Sequence, residues 1–339
     1  MTVRILQGDC RDVLKTLPDE SVNCVVTSPP YWRQRDYGHP GQLGLERTPE
    51  EYITKLVGIF AECRRILKPR GTCWVNLGDK WASGGNGGGG SLMEDRGPAW
   101  AHAKDTKGWR SQPTGYKDKD LVGVPWMFAF AARAEGWYLR QCNVWAKPNC
   151  MPESVTDRST AAHEYVFHLT KNNDYWYDAE AARTPSTPGT ETRLQQNVEA
   201  QEGSARANGG AKTNGPMKAV SRKVAAGNAR TTAAAAPGID DRKHQDYGGA
   251  NLRSVWWVSP AQYREGHYAV MPDTIAEICI TAGCPIGGTV LDPFGGAGTT
   301  GLVADRMGRN AILIELNPEY AEMAKRRITN DSPLFAEVS

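Results

Sequence analysis

The 339-residue chain has no long apolar run, no C-x-x-C pair, no large excess of either charge and no visible internal repeat. Each absence removes a class of protein. No stretch approaches the roughly 20 apolar residues that a membrane span needs. The N-terminus lacks a charged segment followed by an apolar one, so no signal peptide is read and a cytoplasmic protein is expected. Eight scattered cysteines without C-x-x-C spacing suggest neither a zinc ribbon nor a redox dithiol, and buried reduced thiols are expected instead. A net charge of +2 does not announce a nucleic-acid binder. From Thr184 to Gly249 there is no aromatic residue before Tyr247, and Ala, Gly, Asn and Thr dominate. Such a segment buries little apolar area and is expected to be disordered in isolation. Its basic residues, Arg193 to Arg230, make it either a surface insertion or an arm that contacts a polyanion.

What remains is 40% hydrophobic, enough for one large domain or two modest ones. Residues 1–80 alternate strand-like and helix-like segments: strands at Val3–Leu6, Val22–Thr27 and Thr72–Leu77, and helices ending at Leu17 and, from Pro49, at Leu67. A glycine-rich stretch, Ala82 to Tyr116, reads as a mobile loop. A helix from Pro125 to Glu135 and strands near Tyr138–Trp145 and Glu164–Leu169 follow. The sharpest local signal is Thr27-Ser28-Pro29-Pro30-Tyr31-Trp32. Two consecutive prolines can neither continue the strand nor enter a helix interior. The chain must turn, leaving a small polar side chain, two carbonyls and an aromatic ring at the edge where open α/β sheets bind ligands. Carbonyls without nearby amide donors suit an exocyclic amino group; an ordinary Pro-Pro loop is the plain alternative.

The last third carries a second signal. A strand over Gly288–Leu291 runs into Asp292-Pro293-Phe294-Gly295-Gly296-Ala297-Gly298-Thr299-Thr300. A helix then stops near Gly308, and a strand over Ala311–Ile314 ends in Glu315. Glycines permit the tight turn and close backbone approach, and the acid one strand later can accept bonds from ribose hydroxyls. Gly296, Gly298 and Gly301 also satisfy G-x-G-x-x-G, so a nicotinamide oxidoreductase is an alternative. One remaining helix, Pro318–Ile328, is too little for such a fold, and the missing strands must come from the N-terminal half.

Together TSPPYW and DPFGGAGTT resemble the catalytic and cofactor motifs of amino-group DNA methyltransferases. Their order, catalytic motif first, is similar to the β class. The resemblance implies a Rossmann-like α/β methyltransferase sheet, circularly permuted, with long glycine-rich and low-complexity insertions. It divides the chain into a catalytic half (1–80 and 121–180) and a flexible loop (81–120). A target-recognition arm (181–254), a cofactor half (255–330) and a tail (331–339) complete it. It implies S-adenosylmethionine as cofactor and double-stranded DNA as partner. Ser28, Pro29, Pro30 and Tyr31 would be catalytic. Asp9, Cys10, Thr27, Asp292, Pro293, Phe294, Gly295, Gly296, Gly298, Thr299, Glu315 and Asn317 would hold the cofactor. Trp145–Asn149, His163–Tyr165 and a helix over His267–Ile280 match further family segments.

In that chemistry the Ser28 side chain and Pro29 carbonyl accept hydrogen bonds from the amino protons, turning the nitrogen lone pair toward the methyl donor. Tyr31 stacks on a base flipped from the duplex. No Pro-Cys dipeptide of the cytosine-C5 type occurs. Serine in the first position resembles enzymes acting on cytosine N4; adenine N6 stays open. DNA contacts are expected from Arg33, Arg35, Lys80, Lys147, Asn149 and Arg253, with solvated charge, a plain loop or capping as the ordinary alternatives. Asp79, like Lys80, lines either the base pocket or a surface loop. The Trp256-Trp257 pair is expected to be ordered core. His163-Glu164-Tyr165-Val166-Phe167-His168 is one residue too long for a zincin motif, and no metal is expected. A homodimer, a cognate restriction endonuclease and a prokaryotic or phage origin fit the family; an RNA or protein amide methyltransferase, with a related Pro-Pro-Tyr turn but usually the reverse motif order, is a distant alternative.

Overall fold

The computed structural model describes residues 1–82, 115–184, 249–261, 271–331 and 337–338. The glycine-rich loop, the arm's residues 185–248, the start of the helix expected from His267, and most of the tail lie outside them. Chain contacts divide the protein into one unit of Met1–Ala182 with Arg253–Ser339 and a second of Arg183–Leu252. The described part of the second is a bridge between Thr184 and Ala250.

The first unit is built on one sheet. Its strands in chain order are β1 (Thr2–Gln7), β2 (Val22–Thr27), β3 (Leu67–Leu77), β4 (Tyr138–Ala146), β5 (His163–Thr170), β6 (Val255–Trp257), β7 (Thr289–Asp292), β8 (Asn310–Glu315) and β9 (Glu337–Val338). In space they run β6-β4-β5-β3-β2-β7-β8-β1-β9. Every pairing is parallel except those of β5, which is antiparallel to both β3 and β4. The C-terminal ends of β1, β2, β3, β4, β7 and β8 therefore share one edge, and β5 begins there.

The helices are α1 (Cys10–Thr16), α2 (Pro49–Ile66), α3 (Val124–Ala134), α4 (Asp273–Gly283), α5 (Thr299–Arg306) and α6 (Pro318–Asp331). Helix α2 shows why they form. Thr48 caps it by accepting the Glu51 N–H at 3.2 Å, Pro49 occupies the first turn, and Tyr52, Leu56, Ile59, Phe60 and Cys63 make one buried stripe. That stripe meets α3, where Phe60 packs edge-to-face on Phe128 with centroids 4.9 Å apart. Helices α1, α2 and α3 form one row and α4, α5 and α6 another. Alternating strand residues serve the two rows: Val25, Cys73 and Val75 join the core with α1–α3, whereas Cys24, Thr72 and Trp74 face Gly283 of α4. A Cβ on Gly283 would sit 2.4 Å from both Thr72 Oγ1 and Trp74 Nε1, so α4 can approach the sheet only with glycine there.

Three expectations change. Strand β3 starts at Leu67 rather than Thr72, and a register shift between Val22 and Cys24 absorbs the Pro69–Gly71 turn. Helix α4 starts at Asp273, after Pro272. Of the tryptophan pair only Trp256 is core, at 4% exposure; Trp257 is 74% exposed, because successive side chains of edge strand β6 point to opposite faces. No helix among the described residues is long and apolar enough to cross a membrane.

Candidate active site

The chain leaves β2 into α2 and β3 on one side and leaves β7 into α5 and β8 on the other. The β2–β7 junction is thus the topological switch point, where an open sheet forms its crevice. Thr27 ends β2 and Asp292 ends β7. Across the junction the Thr27 hydroxyl donates to Asp292 Oδ1 at 2.6 Å, while Thr300 Oγ1 donates to Oδ2 at 2.7 Å and the Phe294 N–H to Oδ1 at 3.0 Å. Burial raises the Asp292 carboxyl above its usual range, and the two hydroxyls and the amide oppose that shift. Thr27 is fully buried and Asp292 is 4% exposed. Both therefore fasten the two turns together; Asp292 also borders the pocket, and Thr27 is not among its lining residues.

The glycine turn follows from backbone demands. Gly296 has φ +50° and Gly298 φ +79°. Gly298 caps α5, and its missing Cβ would lie 2.8 Å from Ala324 Cβ, so it serves the turn and the α5–α6 contact and does not line the pocket. The Glu315 carboxylate accepts the Gly296 N–H at 2.7 Å and the Asn317 N–H at 2.8 Å. Burial raises its pKa against these two bonds. Asp9 caps α1 by accepting the Arg11 N–H at 2.9 Å, and it is paired with the Arg11 guanidinium, which holds its carboxyl below the ordinary value. Arg11 Nη2 also donates to the Gly41 carbonyl at 2.9 Å. The neighbouring Cys10 thiol is pushed up to about 12 by burial and stays neutral.

These groups enclose a pocket of about 990 Å³, counting its open mouth. Asp9, Cys10, Ser28, Pro30, Asp292, Pro293, Phe294, Gly295, Gly296, Thr299, Glu315 and Asn317 line it. So do residues that sequence reasoning passed over: Tyr37, His39, Gln42, Leu43, Met271 and Tyr320. Most come from the loop after Trp32, which has no periodic pattern. Gln42 orders that loop by accepting the Tyr37 N–H at 2.9 Å and the His39 N–H at 3.3 Å.

The Pro-Pro turn is pinned from three sides. Tyr52 of α2 donates to the Pro30 carbonyl at 2.8 Å, so one of the two carbonyls expected to be spare is occupied. The Pro29 carbonyl accepts nothing from the described residues. Trp32 is buried and donates to the Glu46 carbonyl at 3.0 Å. The Tyr31 hydroxyl donates to Glu164 Oε2 at 2.5 Å and lies 3.0 Å from Asn76 Oδ1; Ser28 Oγ lies 3.4 Å from both Tyr31 Oη and Asn76 Oδ1. Glu164 and Asn76 carried no periodic signal of a site. They meet Tyr31 because β3 ends, and antiparallel β5 begins, at the same edge.

The residues expected to touch DNA scatter. Asn149 and Arg253 are exposed, and Lys147 pairs with Glu164 while lying 4.5 Å over the Trp145 ring. Arg35 and Lys80 are half-buried, and Lys80 donates to the Arg33 carbonyl. Arg33 is not a surface charge: it is 8% exposed, with φ +51° and its guanidinium 5.6 Å over the Trp32 ring. Asp79 is more than a plain loop residue: it caps α3 by accepting the Gly123 and Val124 N–H groups at 3.0 and 3.1 Å, and it does not line the glycine-turn pocket. His163 is exposed and His168 buried, on opposite faces of β5, so the pair cannot share a metal.

The sequence model of a family described as DNA methylase, N6_N4_Mtase, matches residues 22–326. The Type II methyltransferase M.SmaI of Serratia marcescens is 39% identical over 325 residues, which span 96% of this chain and 90% of that protein. TTHA0409 of Thermus thermophilus, solved in complex with S-adenosyl-L-methionine, superposes with a TM-score of 0.56 at 23% identity, covering 99% of each chain. The PvuII DNA methyltransferase, cytosine-N4-specific, superposes with a TM-score of 0.58 at 17% identity, covering 97% of this chain and 92% of that one. At such identities these two structures bear on the fold alone.

Proposed function

The chain belongs to the N6_N4_Mtase family of DNA methylases, with the Rossmann-like sheet of a methyltransferase, and from that premise we propose how its turns act on a base. Ser28, Pro29, Pro30 and Tyr31 receive the exocyclic amino group of a base flipped from duplex DNA, and the glycine-turn pocket holds S-adenosylmethionine. The observation that carries this reading is the 2.6 Å Thr27–Asp292 bond, which joins the two turns so that Ser28 and Glu315 line one pocket.

The donor set suits a cationic nucleoside. Among the described lining residues the carboxylates of Asp9, Asp292 and Glu315 face one guanidinium, Arg11, which is already paired with Asp9. A pyrophosphate would meet net negative charge there, which disfavours the nicotinamide alternative. Glu315 keeps lone pairs beyond its two amide bonds for ribose hydroxyls, and Phe294, Tyr37 and Tyr320 offer aromatic faces. When bound, S-adenosylmethionine supplies a methyl group on a sulfonium.

The protein's part is positioning and electrostatics. Ser28 Oγ and the Pro29 carbonyl accept the two amino protons, drawing the nitrogen lone pair out of the ring. The Tyr31 ring forms a wall for the base. Cytosine N4 is the favoured acceptor, on the serine at position 28, with adenine N6 the alternative. Digesting methylated DNA to nucleosides decides between them; N6-methyladenine alone would end the preference for cytosine. Ser28→Ala should lower turnover at least about a hundredfold while calorimetric binding of the cofactor persists.

The reading extends to organisation. Residues 1–80 and 121–180 are the catalytic half and 255–330 the cofactor half of a permuted sheet. The strand order, with N-terminal β1 between C-terminal β8 and β9, supports this. Residues 181–254 hold target recognition, with exposed Arg253 and Asn149, and the half-buried Lys147, toward the phosphates. A homodimer and a partner endonuclease belong to the same proposal, and the Serratia relative supports a cytoplasmic bacterial setting.

A further inference from the structure

The hydrogen bonds behind Ser28 run in one direction. The single Tyr31 hydroxyl proton goes to Glu164 Oε2 at 2.5 Å, and burial together with Glu164 raises the phenol well above its usual range, so that proton stays. Asn76 Nδ2 donates to the same oxygen at 3.1 Å and to the Tyr165 carbonyl at 3.2 Å. Both bonds turn Asn76 Oδ1 toward the catalytic turn. Lys147 Nζ closes on Glu164 Oε1, and the pair is largely shielded, with side-chain exposures of 20% and 15%. Ser28 Oγ therefore faces two acceptors, Tyr31 Oη and Asn76 Oδ1, each at 3.4 Å. Its one proton is drawn toward them, and its lone pairs are left for the pocket.

The direction matters for the chemistry. An amino nitrogen must keep its lone pair clear for the incoming methyl group. A serine hydroxyl free to rotate could donate to that lone pair and block it. Held as an acceptor, the same hydroxyl binds an amino proton and frees the lone pair. Resting on the amino-methyltransferase reading, we propose that Glu164, backed by Asn76 and Lys147, is a positioning residue that fixes Ser28 as a hydrogen-bond acceptor for the target amino group.

The test is a mutant cycle with tritiated S-adenosylmethionine and unmethylated genomic duplex DNA. In Glu164→Gln an amide N–H can donate to Tyr31, which releases the tyrosine proton toward Ser28 and reverses the chain. Its kcat should fall about 10- to 100-fold, the kinetic weight of roughly one or two hydrogen bonds. The KM for DNA, the calorimetric Kd for the cofactor and the Tm should stay near wild type. Tyr31→Phe keeps the ring and cuts the tyrosine link while Asn76 Oδ1 still faces Ser28, so it should lose kcat to a similar or smaller extent. Adding Glu164→Gln to Tyr31→Phe should then cost less than the product of the two single losses. Wild-type kcat in either single variant, multiplicative losses in the double variant, or a kcat loss that follows Tm or cofactor binding overturns the proposal. Should Glu164→Gln fail to fold, Tyr31→Phe, which leaves the Lys147–Glu164 pair whole, decides alone. If the wild-type protein labels no DNA, the methyltransferase reading falls and takes this proposal with it. Labelled DNA with an unchanged Glu164→Gln sinks only the positioning role.

Discussion

At Gly78 the backbone passes so close to the Tyr31 ring that a Cβ would lie 2.7 Å from Cε2 and 3.1 Å from Cδ2. The ring cannot swing aside cheaply, because its hydroxyl is held by Glu164. Gly78→Ala should therefore displace Tyr31 at an overpacking cost of about 1–3 kcal/mol. We expect kcat to drop roughly tenfold or more with far-ultraviolet circular dichroism unchanged; a wild-type kcat would show that Tyr31 has no fixed position to lose. At this scale the sequence disclosed the serine, the prolines and the tyrosine, since a Pro-Pro turn after a strand is a local event. It hid Asn76 and Tyr52 and offered Glu164 only inside the His163–Tyr165 segment; these side chains matter through partners tens of residues away. At Arg33 a charge beside a turn reads as a DNA contact or else as solvated; in the structure it is buried and lies over Trp32.

Among elements, the strand–turn–helix at β7–α5 was the most legible. Glycine is demanded at Gly298 twice, by φ +79° and by the contact with Ala324 of α6. Gly298→Ala should cost about 1–3 kcal/mol, read as a lower midpoint in urea unfolding, and the same turn should hold cofactor less tightly. An unchanged midpoint would mean that α5 and α6 separate without penalty. Helix α2 was equally plain, from its cap, its Pro49 and its apolar stripe. Strand β3 was less so: Pro69 and Gly71 read as a break, yet a register shift carries the strand through them. The loop over Tyr37–Leu43 was illegible because side-chain bonds from Gln42 and Arg11, not backbone periodicity, give it shape.

For the whole molecule, the buried His168 predicts a pH dependence. Its ring stacks on Trp74 with centroids 4.0 Å apart, and its Nε2 has no partner among the described residues. Burial first, and Arg140 second, lower its pKa to about 3 from 6.5. The unfolded chain thus binds a proton that the folded one refuses. The histidine's contribution is intact above pH 6.5 and is lost as pH falls toward 3, by up to about 1.4 kcal/mol per unit. His168→Phe should flatten the stability-versus-pH curve in that window, measured by urea unfolding between pH 4 and 7. A slope identical to wild type would assign acid sensitivity to other groups.

The sequence by itself determined the chemistry: two local motifs, each legible because a turn's backbone demands are written in its prolines and glycines. It also determined which half supplied which motif. Only the tertiary structure decided that the Thr27 hydroxyl reaches Asp292, 265 residues away, and that an antiparallel strand delivers Glu164 to Tyr31. Those contacts depend on strand order in space, and a periodic pattern along the chain carries no information about which strands will be neighbours.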